Sequence, residues 1–302
     1  MARPATPAMT VAPPAPRDVL ELLKPITWFP PIWAFLCGVV ASGTARADRW
    51  ALVLAGAVLV GPMVCGTSQA INDWFDRHVD AINEPDRPIP SGRIAGHWGL
   101  WIALAGSALS LGFGMAMGAI VGWATLLALA FAWAYSAPPI RLKMSGLWGP
   151  GAVAITYEGL TWFTGAALML GGWPSARNLA VLALYSFGAH GIMTLNDFKA
   201  IEGDKAMGIR SLPAMLGVRL AAIIACVTMA VPQLVVIGLL VAWGHPVSAA
   251  IIVALLATQL VLMRRLLRDP CQYAPWYNAT GTSLSVLGMM VSAVALGWSG
   301  QG

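Results

Sequence analysis

What most constrains this chain is the recurrence of apolar stretches long enough to cross a bilayer. A hydrocarbon core of about 30 Å takes roughly 17 to 25 helical residues. Runs of that length lie near 28–45, 51–72, 98–115, 117–136, 149–170, 178–196, 216–242, 247–267 and 278–298. The spacing predicts an all-α, polytopic membrane protein of about nine transmembrane helices. Composition agrees: 58% of the 302 residues are hydrophobic and only 10% are charged, where soluble proteins carry about 25%.

The basic residues orient the spans. Of 18 Lys and Arg, Arg46, Arg49 and Arg177 fall in connections on one side, together with no others. Cytoplasmic connections collect positive charge, so the N-terminus is expected inside and the C-terminus outside. The net charge of +5 is accounted for by this bias and carries no nucleic-acid inference. Residues 1–17 hold several prolines and no continuous apolar run, which predicts a disordered cytoplasmic tail, neither signal peptide nor span. Residues 18–24 suit a short amphipathic helix on the inner surface. The remainder, 18–302, reads as one intramembrane domain of two pseudo-repeated helix bundles, roughly 18–145 and 146–302. Cys37, Cys65, Cys226 and Cys271 show no CxxC spacing, so neither zinc nor a disulfide framework is indicated.

Charge is concentrated in two inside segments, each following an apolar run. The first is NDWFDRHVDAINEPDRPIPSGRI, 72–94; the second is TLNDFKAIEGDKAMGIRSLP, 194–213. Both begin with Asn-Asp at a helix end and continue into basic residues and proline, which suggests a distant internal repeat. Residues four apart share a helix face, so Asn72, Asp76 and Asp80 form an oxygen-ligand stripe. In the second segment Asn196, Asp197 and Asp204 take corresponding places, with Ala200 where a middle carboxylate would stand. Closely spaced carboxylates at membrane depth need a counter-ion. Oxygen-only ligands with Lys and Arg nearby favour Mg²⁺ bridging to a phosphate ligand. Two acidic helix ends holding Mg²⁺ and a diphosphate between them are therefore expected. A third inside segment, AYSAPPIRLKMSG at 134–146, would aim Arg141 and Lys143 at the same vestibule.

These motifs resemble a known family. NDWFDRHVD matches the first aspartate-rich motif of the UbiA-type intramembrane prenyltransferases, written NxxxDxxxD. Its continuation DAINEPDRPIPSG, together with YSAPPIRLK, NDFKAIEGDKAMGIRSLPAMLG and GPGAVAITYEGLTWFTGAA, is similar to the chlorophyll and bacteriochlorophyll synthase branch. The resemblance implies helices around a central cavity, Mg²⁺, a polyprenyl diphosphate donor and a lipophilic acceptor. In this branch the acceptor is chlorophyllide or bacteriochlorophyllide, esterified on its propionate with a geranylgeranyl or phytyl group. By motif position Asn72, Asp76, Asp80, Asn196, Asp197 and Asp204 become Mg²⁺–diphosphate ligands, with Asp76, Asp80, Asp197 and Asp204 as the catalytic carboxylates and Asp73 a helper. Either Glu202 or Asn196 would compensate for Ala200, or the second metal would be held by fewer protein ligands. The branch also implies the inner membrane of a photosynthetic bacterium, a site opening to the cytoplasm, and partners among pigment-biosynthesis or photosystem-assembly proteins.

An allylic diphosphate ionises when its leaving charge is neutralised, and Arg87, Arg93, Arg141, Lys143, Lys199, Lys205 and Arg210 are candidate cations. A carboxylate acceptor is already anionic and needs no general base. Tyr135, Tyr157 and Trp162 could stabilise the allylic cation through their ring faces. Glu158, an ionisable group well inside the fifth span, is a candidate for acceptor recognition. His190 and Cys65 read more readily as packing. Other acceptors such as homogentisate or haem remain open within the family. A carrier of phosphorylated lipids would want polar residues through the middle of several spans, and a pigment-binding structural protein would want histidines in its spans; neither pattern is present.

Overall fold

The computed structural model describes residues 12–44 and 47–299. Among them the structure is helical, with one lone backbone bridge between Ser145 and Arg210. Helix α1, Pro16–Leu22, begins with proline at its first turn, where a missing N–H costs nothing. Pro16 and Arg17 are thus already helical, and the part of the expected tail up to residue 11 lies outside the described residues. After a left-handed Lys24 (φ 47°) and a 3₁₀ turn, Pro25–Thr27, comes α2, Phe29–Ala41. The first crossing is broken: Pro16–Thr27 and Phe29–Ala41 meet at 57° and are long and apolar enough only together.

Eight further helices pass on length and hydropathy by themselves, which agrees with the expected count of about nine. In chain order α3 is Trp50–Asn83, α4 Trp98–Ala116, α5 Ala119–Ser136, α6 Trp148–Leu170 and α7 Ala176–Lys199. Two short helices, α8 (Ile201–Ala206) and α9 (Leu212–Leu216), follow on the charged side. Then α10 is Val218–Ala242, α11 Pro246–Leu266 and α12 Pro270–Ser299. The last helix packs on α2, which closes the ring, and Trp33 Nε1 donates across that seam to Val286 O at 3.0 Å.

Helices in lipid associate through close packing of small residues and buried polar bonds, and both are visible here. A Cβ at Gly38 would lie 2.0 Å from Trp162 O, and one at Gly165 would lie 2.1 Å from Phe35 O. The α2 and α6 main chains therefore touch. Asn178 ties three helices, accepting from Trp162 Nε1 at 2.9 Å and donating to Ala41 O at 2.9 Å. Gln233 and Gln259 exchange two amide bonds between α10 and α11.

Two helices carry a π-helical stretch, Leu59–Cys65 in α3 and Ile155–Leu160 in α6. Pro62 lies in the first, where its missing N–H already breaks the regular ladder. Both stretches line a central cavity between α2, α3, α5 and α6. Asn72 and Tyr135 sit at its polar end, and the rest of the lining mixes leucine, valine and alanine with several hydroxyl side chains.

Candidate active site

The C-terminal turns of α3 present the first acidic stripe. Asn72 Nδ2 donates to Asp76 Oδ2 at 2.9 Å, which fixes two members of the stripe against each other. Lys143 Nζ donates to Asp76 Oδ1, and Arg141 Nη2 stands 3.8 Å from the same oxygen. Burial lowers the Lys143 ammonium below the usual lysine range, while Asp76 pulls the other way. Arg87 Nη1 donates to Asp80 Oδ2 at 2.8 Å and lies 3.5 Å from Asp73. Burial opposes the Arg87 charge, but Asp73 and Asp80 outweigh it and hold the guanidinium above its ordinary value.

Asp73 points the other way, at 1% exposure, and takes Lys24 Nζ at 2.7 Å. The connection back to α1 was invisible in sequence because the partners are 49 residues apart. Arg93 belongs to this strap and not to the cavity. It is bonded to Asp18 at 2.8 Å, to both oxygens of Glu21 at 2.6 and 2.7 Å, and to Asp86 O. So α1 is pinned to α3 and its loop, with Leu22 buried against Ala70, Ile71 and Ile94, and is not free on the inner surface.

The second cluster is held differently. Asp197 lies in the 3₁₀ extension of α7, and Asp204 is buried in α8 as a like charge beside it. Neither forms an ion pair among the described residues. Lys199, Lys205 and Arg210 are exposed, and Lys205 pairs with Glu202 at 3.2 Å. The Glu202 side chain is 89% exposed, so it does not stand in for the carboxylate absent at Ala200. Asn196 Oδ1 accepts from Asn278 Nδ2 at 3.2 Å, a partner from α12 that no sequence pattern announced. Tyr135, at the end of α5, lines the cavity and lies within electrostatic range of both Asp76 and Asp197.

The third inside segment joins them. Gly146 N donates to Arg210 O at 2.7 Å and Arg210 N to Met144 O at 2.9 Å. A Cβ at Gly146 would lie 2.5 Å from Leu212 N, so this seam needs glycine. The loop that lends Lys143 to Asp76 is therefore stitched to the exit of the second cluster. Arg141 adopts φ 41°, an uncommon value outside glycine, and its buried Nε has no partner.

Two intramembrane candidates fall elsewhere. Glu158 is buried with Oε2 unpartnered, and it lines neither the central cavity nor the lateral groove between α6 and α7. His190 bonds Leu147 O at 3.1 Å, as expected of a packing histidine.

Among the described residues no three His, Cys, Asp or Glu side chains converge closely enough to cage a metal alone. The donors at the cavity mouth are carboxylate and amide oxygens, with an unspent Arg141 N–H beside them. Such a set fits a hard divalent cation whose coordination is completed by a phosphate ligand.

The chain matches the UbiA prenyltransferase family over residues 29–298. It is 62% identical over 283 residues to the bacteriochlorophyll synthase 33 kDa chain of Cereibacter sphaeroides, covering 94% of each chain. It is 38% identical to the chloroplastic chlorophyll synthase of Arabidopsis thaliana, covering 91% of this chain and 73% of that one. Its fold is similar, at TM-score 0.67 and 19% identity, to a UbiA homolog from Archaeoglobus fulgidus solved with GPP and Mg²⁺, covering 93% of this chain and 98% of that one. With its multi-pass helical ring and this sequence match over most of its length, the chain belongs to the UbiA prenyltransferase family.

Proposed function

We propose that this protein transfers a geranylgeranyl or phytyl group from its diphosphate to the propionate carboxylate of bacteriochlorophyllide. The observation that carries the reading is the set of cations, Arg87, Arg141 and Lys143, gathered on Asp76 and Asp80 at the mouth of an apolar cavity. The 62% identity to a bacteriochlorophyll synthase chain supports this acceptor over chlorophyllide, whose synthase is matched at 38%.

Asn72, Asp76 and Asp80 on one side, and Asn196, Asp197 and Asp204 on the other, would hold Mg²⁺. Bound there, Mg²⁺ supplies Lewis-acid stabilisation of the departing diphosphate. Arg87, Arg141 and Lys143 neutralise the charge that develops on the leaving oxygens, and Arg141 brings a donor that is otherwise unused. Tyr135, in the cavity lining, would present its ring to the allylic carbon. The apolar wall keeps water from the cation, which water would convert to free prenol. The acceptor carboxylate attacks without a base, since it carries no proton to lose. Lys199, Lys205 and Arg210, all exposed, serve in this reading as an outer collar that attracts the donor. Glu158 acts on acceptor affinity from behind the wall.

The charge bias supports an inner-membrane protein with a cytoplasmic N-terminus and a site open to the cytoplasm, where other pigment-biosynthesis proteins can hand over the acceptor. The test is purified protein with Mg²⁺, geranylgeranyl diphosphate and, in separate reactions, bacteriochlorophyllide, chlorophyllide or homogentisate. Pigment ester formed fastest from bacteriochlorophyllide is expected. No ester from either chlorophyllide overturns the acceptor while leaving family membership intact.

A further inference from the structure

The cavity wall contains a polar level that the diphosphate chemistry does not use. Gln69, Asn72 and Asp76 follow one another at i, i+3 and i+7 along α3, so they share a face. Gln69 lies about 4.5 Å further from the acidic helix end than Asn72, at 1.5 Å per residue. Along the cavity the lining shows several hydroxyls, and nearly all are already spent on their own helices. Ser68 donates to Cys65 O at 2.7 Å, Thr125 to Val121 O at 2.9 Å, Thr156 to Ala152 O at 2.8 Å and Thr164 to Leu160 O at 2.6 Å. Thr161 donates to Tyr157 O. To a ligand, these positions offer carbon and oxygen lone pairs but no hydrogen.

Tyr157 and Gln69 are different. The Tyr157 hydroxyl oxygen accepts from Gln69 Nε2 at 3.0 Å and from Cys65 Sγ at 3.3 Å. The one hydrogen of the Cys65 thiol has a second acceptor in Thr27 O at 3.4 Å, and a thiol sulfur is only a weak acceptor, so a carboxylate would outcompete it for the Tyr157 O–H, while Gln69 keeps a second N–H. Both side chains line the central cavity. They bridge the two π-helical helices, α3 and α6.

We propose that Tyr157 and Gln69 form the seat of the acceptor's carboxylate. This rests on the function proposed above and adds where the nucleophile is held. A carboxylate brought into an apolar cavity loses its water and must recover hydrogen bonds there. The Tyr157 O–H, held at most by a weak sulfur acceptor, and the second Gln69 N–H supply them one turn beneath the diphosphate level, next to the allylic carbon. The seat orients one carboxylate oxygen for attack: its lone pair forms the new C–O bond as the bond from that carbon to the diphosphate oxygen breaks. The diphosphate departs with both electrons of the broken bond, and no proton moves. A neutral acceptor gains nothing from this seat, so it selects for an acid.

The test compares Tyr157→Phe and Gln69→Leu with the wild-type protein in two measurements. In turnover, the acceptor KM rises about tenfold to a hundredfold, the range for losing a hydrogen bond to a charged group, with the geranylgeranyl diphosphate KM unchanged. In binding read by pigment fluorescence, wild type prefers bacteriochlorophyllide over its propionate methyl ester, and both variants lose that preference. Equal loss for donor and acceptor assigns the pair to packing and overturns the seat. So does an undiminished preference for the acid in both variants. A wild-type protein that forms no pigment ester overturns the acceptor reading itself, and the seat with it.

Discussion

The two acidic segments are written in similar residues and held in opposite electrostatic states. In 72–94 each inward carboxylate already has a cation, Lys143 on Asp76 and Arg87 on Asp80, with Lys24 on Asp73 behind them. In 194–213 Asp197 and Asp204 lie side by side with no ion pair among the described residues, while the local lysines and arginine are exposed. On the proposed function, a divalent cation would meet unpaired carboxylates at the second cluster and would compete with a resident lysine at the first. Both clusters would then hold Mg²⁺, the first as its cations pass to the incoming diphosphate.

The largest expected effect comes from removing one carboxylate on either side. Asp76→Asn and Asp197→Asn should each lower kcat by about 10²–10³, measured as pigment ester per folded protein in the membrane fraction. Near-normal turnover in Asp197→Asn with loss in Asp76→Asn would break the pairing of the clusters. Next, Lys143→Met should raise the donor KM by about tenfold to a hundredfold. The same variant should tighten Mg²⁺ binding without donor, because Asp76 then keeps only the Asn72 amide and the more distant Arg141; calorimetry showing weaker Mg²⁺ binding would contradict the exchange picture. Gly146→Ala drives a methyl to 2.5 Å from Leu212 N and should cost about 1–3 kcal/mol. Thermal melting in detergent checks it, with both clusters losing affinity together. The smallest effect belongs to Lys24→Met: Arg87 still stands 3.5 Å from Asp73, so about 1 kcal/mol of stability and less than a tenfold change in turnover are expected.

The sequence displayed the spans and the aspartate stripe because both depend on local geometry, 1.5 Å and 100° per residue along a helix. The broken first crossing was not visible, since α2 has 13 residues and borrows its reach from a helix that looked like a surface element. The sequence reading counts Arg93 among the diphosphate's cations and leaves Lys24 unplaced, because their partners, Glu21 and Asp73, are distant in sequence and chosen by the docking of α1. Glu158 was read as intramembrane, and its burial agrees, but its facing was not legible. A regular helical wheel fails over Ile155–Leu160, where the π turn shifts the phase of every following side chain. Asn278 illustrates the same limit: one asparagine in a 30-residue helix carries no signal until α12 is laid beside Asn196.

The main-chain contact at Gly38 and Gly165 has a consequence for how the enzyme can change. Two touching backbones offer no side chain to trim or enlarge, so the spacing of α2 and α6 cannot be tuned at that seam. Adaptation to a bulkier acceptor or a longer prenyl chain can proceed instead at small lining residues such as Ala124, Ala128 and Ala132 of α5. The seam is the fixed jaw of a vice, and α5 is the jaw that evolution or an engineer can move.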